Sequence, residues 1–257
     1  MAITITMGIQ KGGTGKSVTT GMLAYILSRE HKVLAVDMDS QGNLTELLTN
    51  ADDLDVFQGE TILEALQAGD VRPYVKVVDE NLHLVPADDF LATLSRWIYG
   101  NKAIHRPIHL LRDALKDVED YYDYILIDTP PALSEQTLNA LVAADYVVIL
   151  FESSKFCYSA VKNFLATVDV VREDANPDVK IAGLLRTLID NRRKDAKELI
   201  GLVAERYSEY THIFNTIITR SAHVGRLSIA GFVDNPELSK AVGDYLPFVE
   251  ELLERVK

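Results

Sequence analysis

Seven short apolar runs punctuate the chain: ITITMGI (3–9), KVLAVDM (32–38), LHLVPA (82–87), the 122–128 part of YYDYILID, DYVVILF (145–151), KIAGLLRTLI (180–189) and HIFNTII (212–218). Each has the length of a strand. Most are nearly continuous Val, Ile, Leu and Ala rather than alternating, which is the pattern of parallel strands covered on both faces. Between them lie amphipathic stretches at helical spacing, 17–30, 107–120, 134–144, 157–174 and 193–209. This alternation predicts an α/β fold, a doubly wound, mostly parallel sheet with helices on both faces. No Pro- or Gly-rich linker and no internal repeat divides the chain, so one domain over 1–257 is expected. Ala51–Glu60 reads as an acidic, mobile surface connection, and the terminal YLPFVEELLERVK as a docked helix.

Composition narrows the class. Of 257 residues, 47% are apolar and 25% charged, ordinary values for a chain that folds in water. No stretch approaches the ~18 uninterrupted apolar residues of a membrane span, and the N-terminus lacks the basic flank and long apolar core of a secretory signal, so a cytoplasmic protein with no membrane partner is expected. Cys157 is the only cysteine, which excludes an intramolecular disulfide and a Cys-built metal site; a buried, inert thiol is the expectation. A net charge of −12 argues against coating nucleic acid with the whole surface. It leaves room for a local patch, because 180–228 holds nine Lys and Arg against five Asp and Glu, a net of +4, while the other residues sum to −16.

The first strand runs into QKGGTGKS (10–17), which opens a helical pattern. In a doubly wound fold, ligands sit beyond the carboxyl ends of the strands, and this loop stands in that place. Gly12, Gly13 and Gly15 let backbone N–H groups close around phosphate oxygens, and the following helix presents its positive end to the same anion. Lys16 supplies a point charge to the outer phosphates and Ser17 a hydroxyl to Mg²⁺. The common spacing of such loops would place glycine at position 10, where this chain has Gln10. Two further strands end in carboxylates at the same edge, Asp37 and Asp39 in VDMDSQGN and Asp128 in YILIDTPP. One carboxylate can hold Mg²⁺ through water while another orients the attacking water, which is the division of labour that phosphoryl transfer requires.

KGGTGKS followed in order by VDMDSQGN, IDTPP and RSAHVGRLS resembles the deviant Walker ATPases of the ParA/Soj partition family, P-loop NTPases of the SIMIBI class, over nearly the whole chain. The resemblance implies that Lys11 is the signature lysine that crosses a dimer interface to the phosphates of the partner's ATP. It assigns Lys11, Gly12, Gly13, Thr14, Gly15, Lys16, Ser17 and Val18 to ATP, Ser17 and Asp128 to Mg²⁺, and Asp39 to the hydrolytic water, with Lys11 and Lys16 acting on the transferring phosphoryl. Asp37 either hydrogen-bonds around the loop or supports the metal indirectly. Arg220 and Arg226 are implied in DNA binding, and Arg192, Arg193 and Lys194 are secondary candidates. The function implied is an ATPase that dimerises on ATP, binds nonspecific duplex DNA at the nucleoid in that state, and positions a plasmid, chromosome or other cargo while a ParB-like partner protein stimulates hydrolysis.

The chain departs from the family pattern at several points. Ser40 replaces the usual proline of the switch segment, FESSKF (151–156) stands where a Pro-led loop is common, and Thr219 replaces proline before Arg220. The link from Arg220 to Arg226 is about two residues longer than the pattern. Relatives that share the loop fit less well. A nitrogenase-type iron protein needs cluster-ligating cysteines, a MinD-type division regulator ends in a basic amphipathic helix, and larger partition ATPases carry a helix-turn-helix domain ahead of the loop. The alternative of a different class is an ATP-dependent amidating or carboxylating synthetase of the dethiobiotin synthetase type, which needs a second pocket for an organic acid.

Overall fold

The computed structural model describes residues 1–189, 194–220, 223, 226, 231, 232, 235 and 238–257, with 194–197 described in backbone only. Arg192 and Arg193 lie outside the described residues, as does the side chain of Lys194. Within the strands, neighbouring residues bury on opposite faces. In β2 (Val33–Asp37), Val33 and Ala35 enter one core and Leu34 and Val36 the other; in β5 (Tyr124–Asp128), Leu126 faces the first and Ile125 and Ile127 the second. A sheet whose two faces are both apolar must be covered on both sides. The first core is closed by α1 (Lys16–Leu27), α7 (Lys155–Asp174), α8 (Lys194–Tyr207) and α9 (Leu238–Leu253), through residues such as Met22, Phe164, Val203 and Phe248. The second is closed by α3 (Ile62–Ala68), α4 (Leu94–Gly100) and α5 (Leu110–Leu115), through Ile62, Leu94 and Leu111.

Eight strands form the sheet in the order β3-β4-β2-β5-β1-β6-β7-β8. All neighbours are parallel except β3 (Lys76–Asp79), which runs antiparallel to β4 (Leu82–Val85) at one edge. The remaining strands are β1 (Ile3–Gly8), β6 (Tyr146–Glu152), β7 (Lys180–Ile189) and β8 (Ile213–Thr219). The expected doubly wound sheet is therefore present, with the antiparallel edge strand added. Register decides what meets at the carboxyl end: Met7 of β1 and Asp37 of β2 both stand opposite Asp128 of β5. Cys157 is buried and free, as expected, and burial pushes its thiol up to about 11, which keeps it protonated at neutral pH. Among the described residues no helix is long and apolar enough to cross a membrane.

Candidate active site

The loop between β1 and α1 turns on two glycines with positive φ, Gly13 (73°) and Gly15 (81°), the latter capping α1 in the left-handed region. A side chain at Gly13 would be strained although the space around it is open, so the requirement there is backbone conformation. The loop is held from the side by β7, where the Thr187 hydroxyl donates to the carbonyl of Thr14 at 2.7 Å. From below, Thr129 donates to the carbonyl of Met7, also at 2.7 Å. Lys16 is 7% exposed, and its Nζ donates to the carbonyl of Lys11 at 3.1 Å, closing the loop on itself. Burial lowers the Lys16 ammonium from its ordinary value, and Asp128 and Asp39 pull it back up.

Asp37 and Asp128 are fully buried side by side, and burial drives both carboxyls above the usual carboxylate range. Their fastenings differ. The Asp37 carboxylate accepts from the backbone N–H of Asp39 (3.1 Å), the N–H of Thr45 (2.9 Å) and the Thr45 hydroxyl (2.8 Å). It thereby ties the start of α2 (Asn43–Thr49) to the end of β2. At Asp128, Oδ1 lies 3.5 Å from the Thr20 hydroxyl and Oδ2 is buried without a hydrogen-bond partner. The negative charge of Asp37 adds to the upward shift of Asp128, while the Ser17 hydroxyl and the Lys16 charge oppose it. An orphaned carboxylate oxygen beside a hydroxyl and a lysine is a site short of a cation, and the oxygen donors fit Mg²⁺. Among the described residues no group of three or more His, Cys, Asp or Glu is arranged to hold a metal alone, so a metal here would draw further oxygens from phosphate or water.

Asp39 sits in the turn that follows. Its Oδ1 accepts from the Gln41 N–H at 3.1 Å, its carbonyl accepts from the Gly42 N–H at 2.9 Å, and its side chain is 7% exposed at the cleft wall. Gly42 has φ 60°, and a Cβ there would approach the Ala87 carbonyl to 3.2 Å, so this turn requires glycine. Hydrogen bonds to Asp37 and Asp39 brace the segment that carries Ser40.

Lys11 stands at the rim. Its Nζ lies 3.2 Å from Glu152 Oε2 at the end of β6 and 3.3 Å from the Gly12 carbonyl, so in this chain it is folded onto the FESSKF segment.

Lys16, Ser17 and Asp39 open into one cleft of about 570 Å³ lined by the whole Gly12–Val18 loop, Asp39, Gln41, α2 and the residues after it as far as Asp52, Pro131 and Gly231, while Asp37 and Asp128 are buried beneath it. Gly231 was not legible as a site residue. It arrives from more than 200 positions away, and a Cβ on it would collide with the Asn50 side chain and the Leu47 carbonyl region. Phe232 fixes that approach, donating its N–H to the Leu47 carbonyl and meeting Tyr25 of α1 edge-on at 5.6 Å. Of the implied DNA contacts, Arg220 is exposed directly after β8 with its N–H bonded to the Ile189 carbonyl, and Arg226 is exposed with helical backbone. Arg220 thus stands at the β8 edge of the sheet, and neither arginine lines the cleft.

Comparison with known proteins places this geometry. A family model described as an AAA domain matches residues 2–181. The chromosome-partitioning ATPase Soj of Thermus thermophilus is 32% identical over 98% of this chain and 96% of its own length. Among solved structures, a plasmid partition protein of Borrelia burgdorferi bound to AMPPNP superposes with a TM-score of 0.81 at 27% identity, covering all of both chains. Cobyrinic acid a,c-diamide synthase of Mycobacterium smegmatis, with a bound ATP analogue and magnesium, superposes at 0.76 with 31% identity over 90% of this chain and 91% of that one. With a phosphate-type loop between β1 and α1, buried aspartates at the ends of β2 and β5, and full-length similarity to partition ATPases, the chain belongs to the ParA/Soj family of P-loop ATPases.

Proposed function

We propose that this chain, acting as one domain over 1–257, hydrolyses ATP to switch between a monomer and an ATP-bound homodimer that holds nonspecific duplex DNA. The single observation that carries the reading is that Lys16, Ser17 and Asp39 line one cleft beside an open backbone loop, with Asp128 buried against Lys16 and Ser17. ATP is the substrate: Gly12 to Val18 cradle its phosphates, and Lys16 faces them from a buried position where Asp128 and Asp39 oppose the effect of burial on its ammonium. Ser17 and Asp128 would hold Mg²⁺, which when bound neutralises charge on the outer phosphates. Asp39 orients the attacking water from its braced turn. Lys11 leaves Glu152 to reach the phosphates of the partner's ATP, so hydrolysis requires two copies. Arg220 and Arg226 contribute DNA contacts, and a ParB-like partner protein stimulates hydrolysis and release at the nucleoid in the cytoplasm.

The similarity to the diamide synthase favours a second reading, an amidating synthetase on the same scaffold. A second cavity among the described residues lies too far from the phosphate loop to support it. That cavity, about 410 Å³ between Leu165, Arg172, Lys180 and Tyr210, opens at the amino end of β7, away from the phosphate loop. Steady-state ATP hydrolysis measured with and without random-sequence duplex DNA, and with no metabolite, separates the two. DNA-dependent turnover is expected; turnover appearing only with an organic acid and an amide donor would replace this reading with the synthetase.

A further inference from the structure

A second basic surface lies in the 96–116 segment, on the face of the sheet covered by α4 and α5. These 21 residues hold five Lys and Arg and one acid, Asp113, a net of +4 in a chain whose other residues sum to −16. Arg96, Lys102, His105, Arg106, Arg112 and Lys116 are all exposed. The single carboxylate is shared, 2.7 Å from Lys116 and 3.8 Å from Arg106. Arg96 and Lys102 have no hydrogen bond or ion pair among the described residues, and Arg112 has only the longer-range attraction of Glu119. Five cations left with about one neutralising partner are costly for folding by mutual repulsion, and nothing in the packing of α4 and α5 requires them.

Two parts of the chain are brought into one surface by α6 (Glu135–Ala143). One turn of it holds α4, where Ser95 and the Tyr99 hydroxyl donate to the Glu135 carboxylate, the latter at 3.0 Å. The next turn holds the approach to α5, where Asn139 Nδ2 donates to the Pro107 carbonyl at 2.9 Å and Asn139 Oδ1 accepts from the Leu111 N–H at 3.1 Å. The loop is then folded onto α5 by Arg106, 3.0 Å from His109 Nδ1. The charges of Arg106, Arg112 and Lys116 all act on that ring, which marks them as neighbours in space. Arg112 and Lys116 are four apart and share a face of α5. Tyr99 keeps 73% of its surface exposed although its hydroxyl is anchored, so an aromatic ring is open on α4, the helix that carries Arg96.

We infer that this surface, centred on Arg96, Lys102 and Arg112, binds the phosphate backbone of duplex DNA as a second contact. The inference rests on the DNA-binding reading proposed above and extends it. Exposed cations with few acidic partners, on a frame fixed by α6, suit a polyanion read by charge rather than by sequence. The surface adjoins the nucleotide cleft through the loop ahead of α6, since Pro131 of that loop lines the cleft.

The test is the Arg96→Gln/Lys102→Gln/Arg112→Gln protein beside wild type and Arg220→Ala/Arg226→Ala, each with ATP and Mg²⁺. Anisotropy with a random-sequence duplex is followed across a salt series. Losing three phosphate contacts should flatten the slope of log K against log salt by about 2 to 3, at about 0.9 per contact. ATP affinity should be unchanged and the thermal midpoint should not fall, since neutralising the cluster relieves repulsion, and Arg96→Lys/Arg112→Lys should retain the wild-type slope. A triple variant that binds with wild-type slope while Arg220→Ala/Arg226→Ala is impaired overturns this surface and leaves the DNA-binding reading standing. Failure of wild type to bind DNA in any nucleotide state overturns both. Intact DNA binding with lost binding of poly-glutamate overturns it in favour of an acidic protein.

Discussion

Thr45 is the hinge of the cleft wall, and replacing it with valine isolates one hydroxyl. Thr45 is fully buried; its hydroxyl donates to Asp37 at 2.8 Å and accepts from the Ala87 N–H at 3.0 Å. Valine has nearly the same shape, so no cavity term intervenes. Two losses follow: a hydrogen bond to a charged group, about 1.5 to 3 kcal/mol, and an orphaned buried N–H, about 1 to 3 kcal/mol. Together they come to about 3 to 4 kcal/mol, a large share of the ~5 to 15 kcal/mol that holds a typical domain. For a chain of this size the thermal midpoint should fall by about 10 °C, at roughly 2 to 4 °C per kcal/mol. The effect should depend on pH. Burial already raises Asp37, and the Thr45 hydroxyl is one of the bonds that lowers it, so the variant moves Asp37 further up. A carboxyl raised in the folded state costs stability as pH climbs above its unfolded value, so the gap between variant and wild type should widen from pH 5 to pH 8. Because α2 and the Asp39 turn hang on the same bond, turnover should fall more than ATP affinity. Calorimetric unfolding and steady-state hydrolysis measure both, and Thr45→Ser should restore most of each. A loss below about 1 kcal/mol with unchanged turnover would refute the bracing role of Asp37 and Thr45.

The other expectations concern the site itself. Lys11→Ala should retain ATP binding through Lys16 and the loop amides and lose about 10²-fold in hydrolysis, the scale of one positioned electrostatic donor; wild-type turnover by the variant would exclude the trans role. Lys16→Ala and Ser17→Ala should each abolish productive Mg·ATP binding in calorimetry, and unchanged affinity in the presence of Mg²⁺ counts against their assignment. Asp128→Asn should raise the thermal midpoint of the nucleotide-free protein at pH 8 while removing Mg²⁺-dependent ATP binding. It deletes a buried charge whose carboxyl is raised, a cost that grows as pH rises above the unfolded value; a lower midpoint at pH 8 sinks that reasoning.

The central strands and the phosphate loop were legible because their signals are local: continuous apolar runs for buried parallel strands, and glycines where the backbone must turn. The elements between β2 and β5 were not. β3 is four residues at the sheet edge with Val77 exposed, so it lacks the continuous apolar run, although VVDENLHL contains its hairpin turn. α3 did carry a signature: Thr61 and Glu64 form a reciprocal capping box, and Gly69 closes the helix in the left-handed region. α2 and α4 are seven residues each, too short for periodicity to register. The expected 107–120 helix is confined to 110–115, since turns follow from Lys116 onward. Ala51–Glu60 contains a short 3₁₀ turn at Leu54–Phe57, capped by Asp53. Asp39 and Asp128 could be read from strand ends, whereas Thr187, Gly231 and Glu152 reach the site through sheet order and long-range packing that no nearby residues encode.

The most direct measurement is the retention of an Asp39→Ala protein on random-sequence duplex DNA at low salt, after ATP occupancy and dimerisation have been verified on the same sample. Asp39 is assigned to the attacking water and not to nucleotide affinity, so the variant should stay bound to DNA after wild type has hydrolysed its ATP and left, and higher salt should release it. An ATP-bound, dimeric Asp39→Ala protein that shows no retention on DNA at low salt would contradict nucleotide-gated DNA binding.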